Sequence, residues 1–201
     1  MDAAKRLGAQ NYVGSDEYVA GSGGGEYFAT HGAKNVLCVN TLPGATNTEA
    51  RCKGVADGVA KSGGKGSQLP LPSSSFGNPT AVAQAIKAAL QKDPSIDGLI
   101  TISAGDATSA ATGISQAGLV KKVKLGSFDM DPTNLARVKD GTQLFCIDQQ
   151  PYMQGYLAVS MLNGYVQYGL KVPTAPLLTG PGIVDAANVA ATLAGAAAGA
   201  R

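Results

Sequence analysis

The chain has 201 residues, a formal net charge of +2, 15% charged residues and no run of Lys or Arg. This excludes the electrostatic footprint of a nucleic-acid binder. The single histidine, His31, excludes a multi-histidine metal centre, no cofactor is expected, and no apolar run approaches the ~20 residues of a membrane-spanning helix.

The length suits one α/β domain that buries its own core without metals or staples. Cys38, Cys52 and Cys146 form no CxxC pattern and lie in or beside apolar runs. They are expected as buried small hydrophobes, with a Cys38–Cys52 disulfide as the alternative. Met1-Asp-Ala-Ala-Lys-Arg6 is polar and helix-like rather than a signal peptide, and Asp2 to Leu7 is expected as the end of a helix closed by Gly8.

Asn11 to Ser15 is a short strand. Asp16 is placed to cap a helix from Tyr18 to His31, and Glu17 to complement its positive end. Gly21-Ser-Gly-Gly-Gly25 weakens that helix, which implies a closely packed neighbour. A phosphate cradle would need a Gly-x4-Gly-Lys-Ser/Thr pattern that is missing. Lys34 to Asn40 is then a buried strand, Thr41 to Thr48 a polar loop, and Glu49 to Lys61 a helix capped by Thr46, Asn47 or Thr48. Arg51 falls in its first turn, where the dipole disfavours a cation, so a placed role competes with that of a solvated surface Arg.

Ser67 to Pro72 is a strand whose two prolines argue for a sheet edge. The loop Ser73 to Pro79 lacks the Gly-x-Ser-x-Gly elbow of a nucleophilic serine. Thr80 is expected to cap a helix from Ala81 to Gln91, with Val82, Ala85, Ile86, Ala89 and Leu90 on one apolar face. Leu99 to Ser103 is a strand running into Ala104-Gly-Asp-Ala107 and a small-residue helix to Ala117. Val123 to Phe128 is the next strand, ending at Asp129, and Pro132 to Lys139 a short helix. Leu144 to Ile147 is a further strand, ended by Asp148, Gln149 and Gln150 and stopped by Pro151. Those three polar residues either cap the next helix, Tyr152 to Leu170, or present binding groups at the corner.

From Lys34, strand and helix alternate four times before a fifth strand, which implies right-handed crossovers and a parallel, doubly wound sheet. In such a sheet Asn40, Ser103 with Asp106, Asp129, and Asp148 to Gln150 all face one crevice at the strand carboxyl ends. Arg, Asp, amide and hydroxyl groups together suit a neutral polyhydroxylated ligand, whose hydroxyls donate to carboxylates and accept from Arg or amides.

Several stretches resemble a known family. They are Tyr12-Val-Gly-Ser-Asp-Glu17, Gly44-x6-Arg51-x2-Gly54, Gly126-Ser-Phe-Asp129, Asp148-Gln-Gln-Pro-Tyr152 with Gln154-Gly-Tyr156, and Thr179-Gly-Pro-Gly-Ile-Val-Asp185. In this order they resemble the type I periplasmic sugar-binding proteins of the ribose- and galactose-binding kind, the substrate-binding components of ABC transporters. The resemblance implies flavodoxin-like three-layer αβα lobes with mostly parallel sheets, paired through three crossing segments and closing on a sugar. It assigns ligand contacts to Arg51, Asp129 and Gln149. The family's Asn at the end of the third strand falls near Ser103 or Ala104 here, so that contact is changed or lost, with Asp106 as a substitute beside Ser103.

On this resemblance, residues 1–16 are a remnant of a first lobe with a hinge crossing, and 17–149 the second, sugar-binding lobe. Residues 150–188 are a return segment carrying a first-lobe helix and hinge strand. Residues 189–201 are an Ala/Gly-rich tail, expected as a weakly ordered helix or loose end. Most of a first lobe and the family's signal peptide are not found ahead of Tyr12, so periplasmic localisation is implied by resemblance only. Tyr152, Met153, Tyr156, Leu157, Val159, Leu162, Tyr165, Val166 and Tyr168 would leave the return helix bare, which predicts a homodimer or higher oligomer through it. The expected partners are a monosaccharide or polyol and an ABC permease. The alternative is the ligand-sensing lobe of a sugar-responsive regulator or chemoreceptor-linked sensor; a regulator's helix-turn-helix headpiece is not found. An enzyme reading lacks a Gly-x-Gly-x-x-Gly turn, a serine elbow and a His-based triad.

Overall fold

The computed structural model describes residues 6–201, so the helix expected over Asp2 to Leu7 falls mainly outside the described range. The elements begin with β1 (Val13–Gly14), α1 (Glu17–Thr30), β2 (Asn35–Asn40), α2 (Thr46–Ala60), β3 (Lys65–Pro70) and α3 (Pro79–Lys92). They continue with β4 (Gly98–Thr101), α4 (Ala104–Gln116), β5 (Lys124–Phe128), α5 (Pro132–Asp140) and β6 (Phe145–Asp148). The last are α6 (Pro151–Tyr168), β7 (Leu177–Leu178), β8 (Gly182–Val184) and α7 (Val189–Ala197).

Six strands form one sheet in the order β3-β2-β4-β5-β6-β8, parallel from β3 to β6, with β8 antiparallel at the end. Counted from β2, the parallel part runs 2-1-3-4-5, the doubly wound order whose switch point lies between the first and third strands. Here that is the cleft between the carboxyl ends of β2 and β4. The expected α/β architecture, an αβα sandwich on a mostly parallel sheet, is therefore what the chain adopts.

Strand periodicity splits the core between the two faces. On β2, Val36 and Cys38 pack with Phe28, Val55 and Val59 under α1 and α2. Leu37 and Val39, on the other side, pack with Val82, Ile86, Ala110 and Ile114 under α3 and α4. The edge expected from the prolines is β3, which pairs only with β2, although it starts at Lys65 rather than Ser67.

The glycine-rich helix has the close neighbour its composition implied. A Cβ on Gly21 would come 2.2 Å from the Arg51 carbonyl oxygen, and one on Gly25 2.3 Å from that of Val55. From the facing helix, Gly54 and Gly58 would each come 2.2 Å from a carbonyl oxygen of α1. Two glycines four residues apart on each helix thus bring α1 and α2 into backbone contact.

Several local expectations are corrected. Helix α2 begins at Thr46 after an uncapped Ala45, so none of Thr46, Asn47 and Thr48 caps it and Arg51 lies in its second turn, clear of the dipole's worst position. Thr48 Oγ1 instead donates to the Leu42 and Ala45 carbonyls. Asn78, not Thr80, caps α3, because Pro79 takes the first helical position and needs no donor there. Cys38 and Cys52 form a disulfide between β2 and α2, so only Cys146 is a free buried cysteine, its thiol pushed up to about 11 chiefly by burial. The tail forms α7, whose Val189 and Leu193 join Leu135, Val138, Cys146 and Val184 in a third apolar cluster, while residues 196–201 are exposed.

β1 and β7 form a separate two-stranded parallel sheet, and α6 lies beside it with no buried residue along its length.

Candidate functional site

Three of the candidate side chains sit just beyond the end of a parallel strand, while Arg51 and Asp106 come from helices α2 and α4. Asp129 follows β5, Gln149 follows β6, and Ser103 lies two residues beyond β4 as the N-cap of α4. Asp129 and Gln150 adopt left-handed backbone, with φ of 63° and 56°. These are costly conformations for side-chain-bearing residues and cluster at functional sites. The Gln149 side-chain amide donates to Asp129 Oδ1. Gln149 therefore does not cap α6, and neither does the Gln150 side chain; only Asp148 makes a local turn contact, accepting from the Gln150 amide at 2.7 Å.

Arg51 joins the strand ends into one strip. Its side chain is 7% exposed; Nε and Nη2 donate to the two Glu17 carboxylate oxygens at 2.7 and 3.2 Å, a fork-to-fork pair. Nη1 donates to the Ile102 carbonyl at 2.7 Å, and the guanidinium stacks 4.5 Å over the Phe128 ring. Ile102 precedes Ser103 and Phe128 precedes Asp129, so Arg51 lies between the two groups. The surface-Arg reading is excluded. Arg has five N–H donors and three are engaged here, which leaves two unspent.

Ser103 and Asp106 are brought together at the switch point: Asp106 Oδ2 accepts from Ser103 Oγ and from Thr41 Oγ1, each at 2.8 Å. Asp106 Oδ1 makes no hydrogen bond among the described residues. Asn40, expected in the crevice, is instead buried and spent internally, donating to Glu49 and accepting from the Leu42 amide. Two open pockets bracket the strip. One, of about 310 Å³, is lined by Phe76, Asn78, Ser103, Gly105 and Asp106; the other, of about 340 Å³, by Asp129, Met130, Asp148, Gln149, Pro151 and Arg201.

Sequence reasoning missed three members of this edge. Glu17 was assigned to the helix dipole but serves as the partner of Arg51. Phe76 is 61% exposed in the loop before α3, and an aromatic side chain in an otherwise polar serine loop was the signal for it. Arg201 ion-pairs with buried Asp148, a contact no local pattern announces. Among the described residues, no cluster of His, Cys, Asp and Glu has metal-ligand grouping.

Beside the strip, three chain segments run together. Thr179 donates its amide to the Gly14 carbonyl and its hydroxyl to that of Gln149, and the Gln154 side chain reaches the same Gln149 carbonyl. A doubly wound αβα lobe with carboxylate, amide and guanidinium groups at its carboxyl edge and these crossing segments alongside has the type I periplasmic binding fold. The chain belongs to the periplasmic binding protein domain family, which it matches over residues 2–171. It is similar to a carbohydrate transporter from Acidothermus cellulolyticus 11B solved with myo-inositol, with 36% identity and a TM-score of 0.88 over 100% of this chain and 68% of that one. An ABC transporter periplasmic solute-binding protein from Actinobacillus succinogenes 130z with bound D-allose aligns at 25% identity and TM-score 0.82, over 95% of this chain and 66% of that one. A xylose/arabinose-binding protein of Sulfolobus acidocaldarius is 24% identical over 110 residues, 52% of this chain and 27% of that protein. The chain thus spans about a quarter of that relative and about two thirds of the two solved structures. By their names these relatives are a carbohydrate transporter, a periplasmic solute-binding protein of an ABC transporter and a sugar-binding protein.

Proposed function

We propose that this lobe binds a monosaccharide or cyclic polyol as part of the solute-binding component of an ABC transporter. The observation that carries the reading is the continuous strip Ser103–Asp106, Arg51, Asp129–Gln149. It combines unspent carboxylate oxygens with two free guanidinium donors, the pairing that vicinal hydroxyls require. Phe76, exposed beside the same edge, supplies an apolar face for a sugar's C–H surface. The myo-inositol complex of the 36% identical structure supports a cyclitol as the first ligand to try. A disulfide between β2 and α2 supports an oxidising compartment such as the periplasm.

Residues 17–149 are the ligand-binding lobe in this reading, with 1–16 and 150–188 as crossing and return segments, the latter giving its strand β8 back to the sheet of that lobe. The partners are a permease, which the loaded protein would dock on, and a second copy of this chain on the bare α6 face.

The test is a two-dimensional NMR titration with myo-inositol, D-allose and D-ribose at millimolar concentrations. One lobe encloses only part of a sugar, so weak binding is expected. Saturable shifts at Ser103, Asp129 and Gln149, abolished by Asp129→Ala, are the expected outcome. Shifts confined to the outer helices, or none at all, would refute the reading.

A further inference from the structure

We infer that the Cys38–Cys52 disulfide and Gly21 act as positioning residues for Arg51, holding its guanidinium in place before any ligand arrives. The inference rests on the proposed binding role only in taking Arg51 as a ligand donor.

Arg51 is constrained from three directions. Its neighbour Cys52 is tied to Cys38 in the middle of β2, with the Cα atoms 5.4 Å apart, which fixes that turn of α2 to the sheet at one point. From α1, Gly21 seats against the Arg51 carbonyl so closely that a methyl group would meet the oxygen at 2.2 Å. At the far end of the side chain, Glu17, the Ile102 carbonyl and the Phe128 ring receive the guanidinium. Glu17 opens the same helix that carries Gly21, four residues on, so the contact that fixes the Arg51 backbone also sets the height of its carboxylate partner.

A free Arg side chain populates many rotamers, and ordering it costs entropy that a binding site must otherwise recover from the ligand. Anchoring the backbone at both contacts makes the fork-to-fork pair with Glu17 the resting state, and leaves the two remaining donors aimed before binding. Val55 and Val59 anchor the later turns of α2 by packing alone. The covalent tie falls in the turn that carries the arginine.

The experiment measures solvent exchange of the Arg51 Nε–H by NMR in the ligand-free chain. The variants are Cys38→Ala/Cys52→Ala, Gly21→Ala and, as a control for general destabilisation, Val138→Ala in α5. The expected result is exchange about tenfold faster in the first two at a temperature where all are folded, with little change in the control. Unchanged exchange in both clamp variants, or an equal rise in Val138→Ala, would overturn the inference. Should the double cysteine variant fail to fold, Gly21→Ala decides alone, because it keeps the disulfide. Absence of sugar binding would count against the proposed function and leave this result standing, since no ligand enters the measurement.

Discussion

At the scale of single residues, the lobe invests its polar groups in paired geometry. Tyr27 shows this away from the site: its hydroxyl donates to Asp185 Oδ2 at 2.6 Å, tying α1 to the chain beyond β8. That hydrogen bond, with the amides of Ala187 and Asn188 and the nearby His31, holds the Asp185 carboxyl below the usual carboxylate range. The Tyr27 phenol is displaced upward, by burial first and by Asp185 second. A depressed carboxyl contributes stability above its unfolded pKa near ~3.9, and that contribution is lost as pH falls through the lower folded value. Tyr27→Phe is therefore expected to raise the Asp185 pKa toward ~3.9, read by carbon-detected NMR titration, and to flatten the acid limb of the stability profile. An unchanged Asp185 titration would show that its amide partners alone set it.

At the scale of elements, the contact between α1 and α2 makes opposite predictions for two glycines two residues apart. Gly23 has nothing within 4 Å of a built Cβ, whereas Gly25 faces the Val55 carbonyl at 2.3 Å. Gly23→Ala is expected to stabilise the fold by ~0.5–1 kcal/mol through helix propensity. Gly25→Ala is expected to destabilise it by ~1–3 kcal/mol, since overpacking exceeds the same propensity gain. Urea denaturation of the two variants checks both signs. Destabilisation by both would mean that α1 tolerates no side chain at all, and the backbone-contact account would fail.

At the scale of the whole molecule, α6 is the unresolved balance between apolar composition and burial. Tyr156, Val159, Leu162, Tyr165, Val166 and Tyr168 are all exposed along a helix with no buried residue. A patch of this kind drives association. Light scattering is expected to give a dimer that dissociates on Val159→Asp/Leu162→Asp, without loss of the far-ultraviolet signal of the lobe. A parent chain that is monomeric at high concentration would remove the self-association reading.

The order of strands and helices was legible in the sequence because a buried parallel strand and an amphipathic helix each announce themselves within about ten residues. So were Asp129 and Gln149, since a polar residue ending an apolar strand is a local signal. Helix starts were less legible: Pro79 moved one cap to Asn78, and the loop after Leu42 set α2 without any side-chain cap. The sequence by itself determined the doubly wound sheet, the glycine-lined helix contact and which strand ends carry hydrogen-bonding groups. Only the tertiary structure decided that Arg51 belongs with Glu17, 34 positions away, that Cys38 pairs with Cys52, and that Arg201 returns to Asp148. Those pairings depend on how layers are brought face to face, and no local periodicity records the distance between residues on different layers.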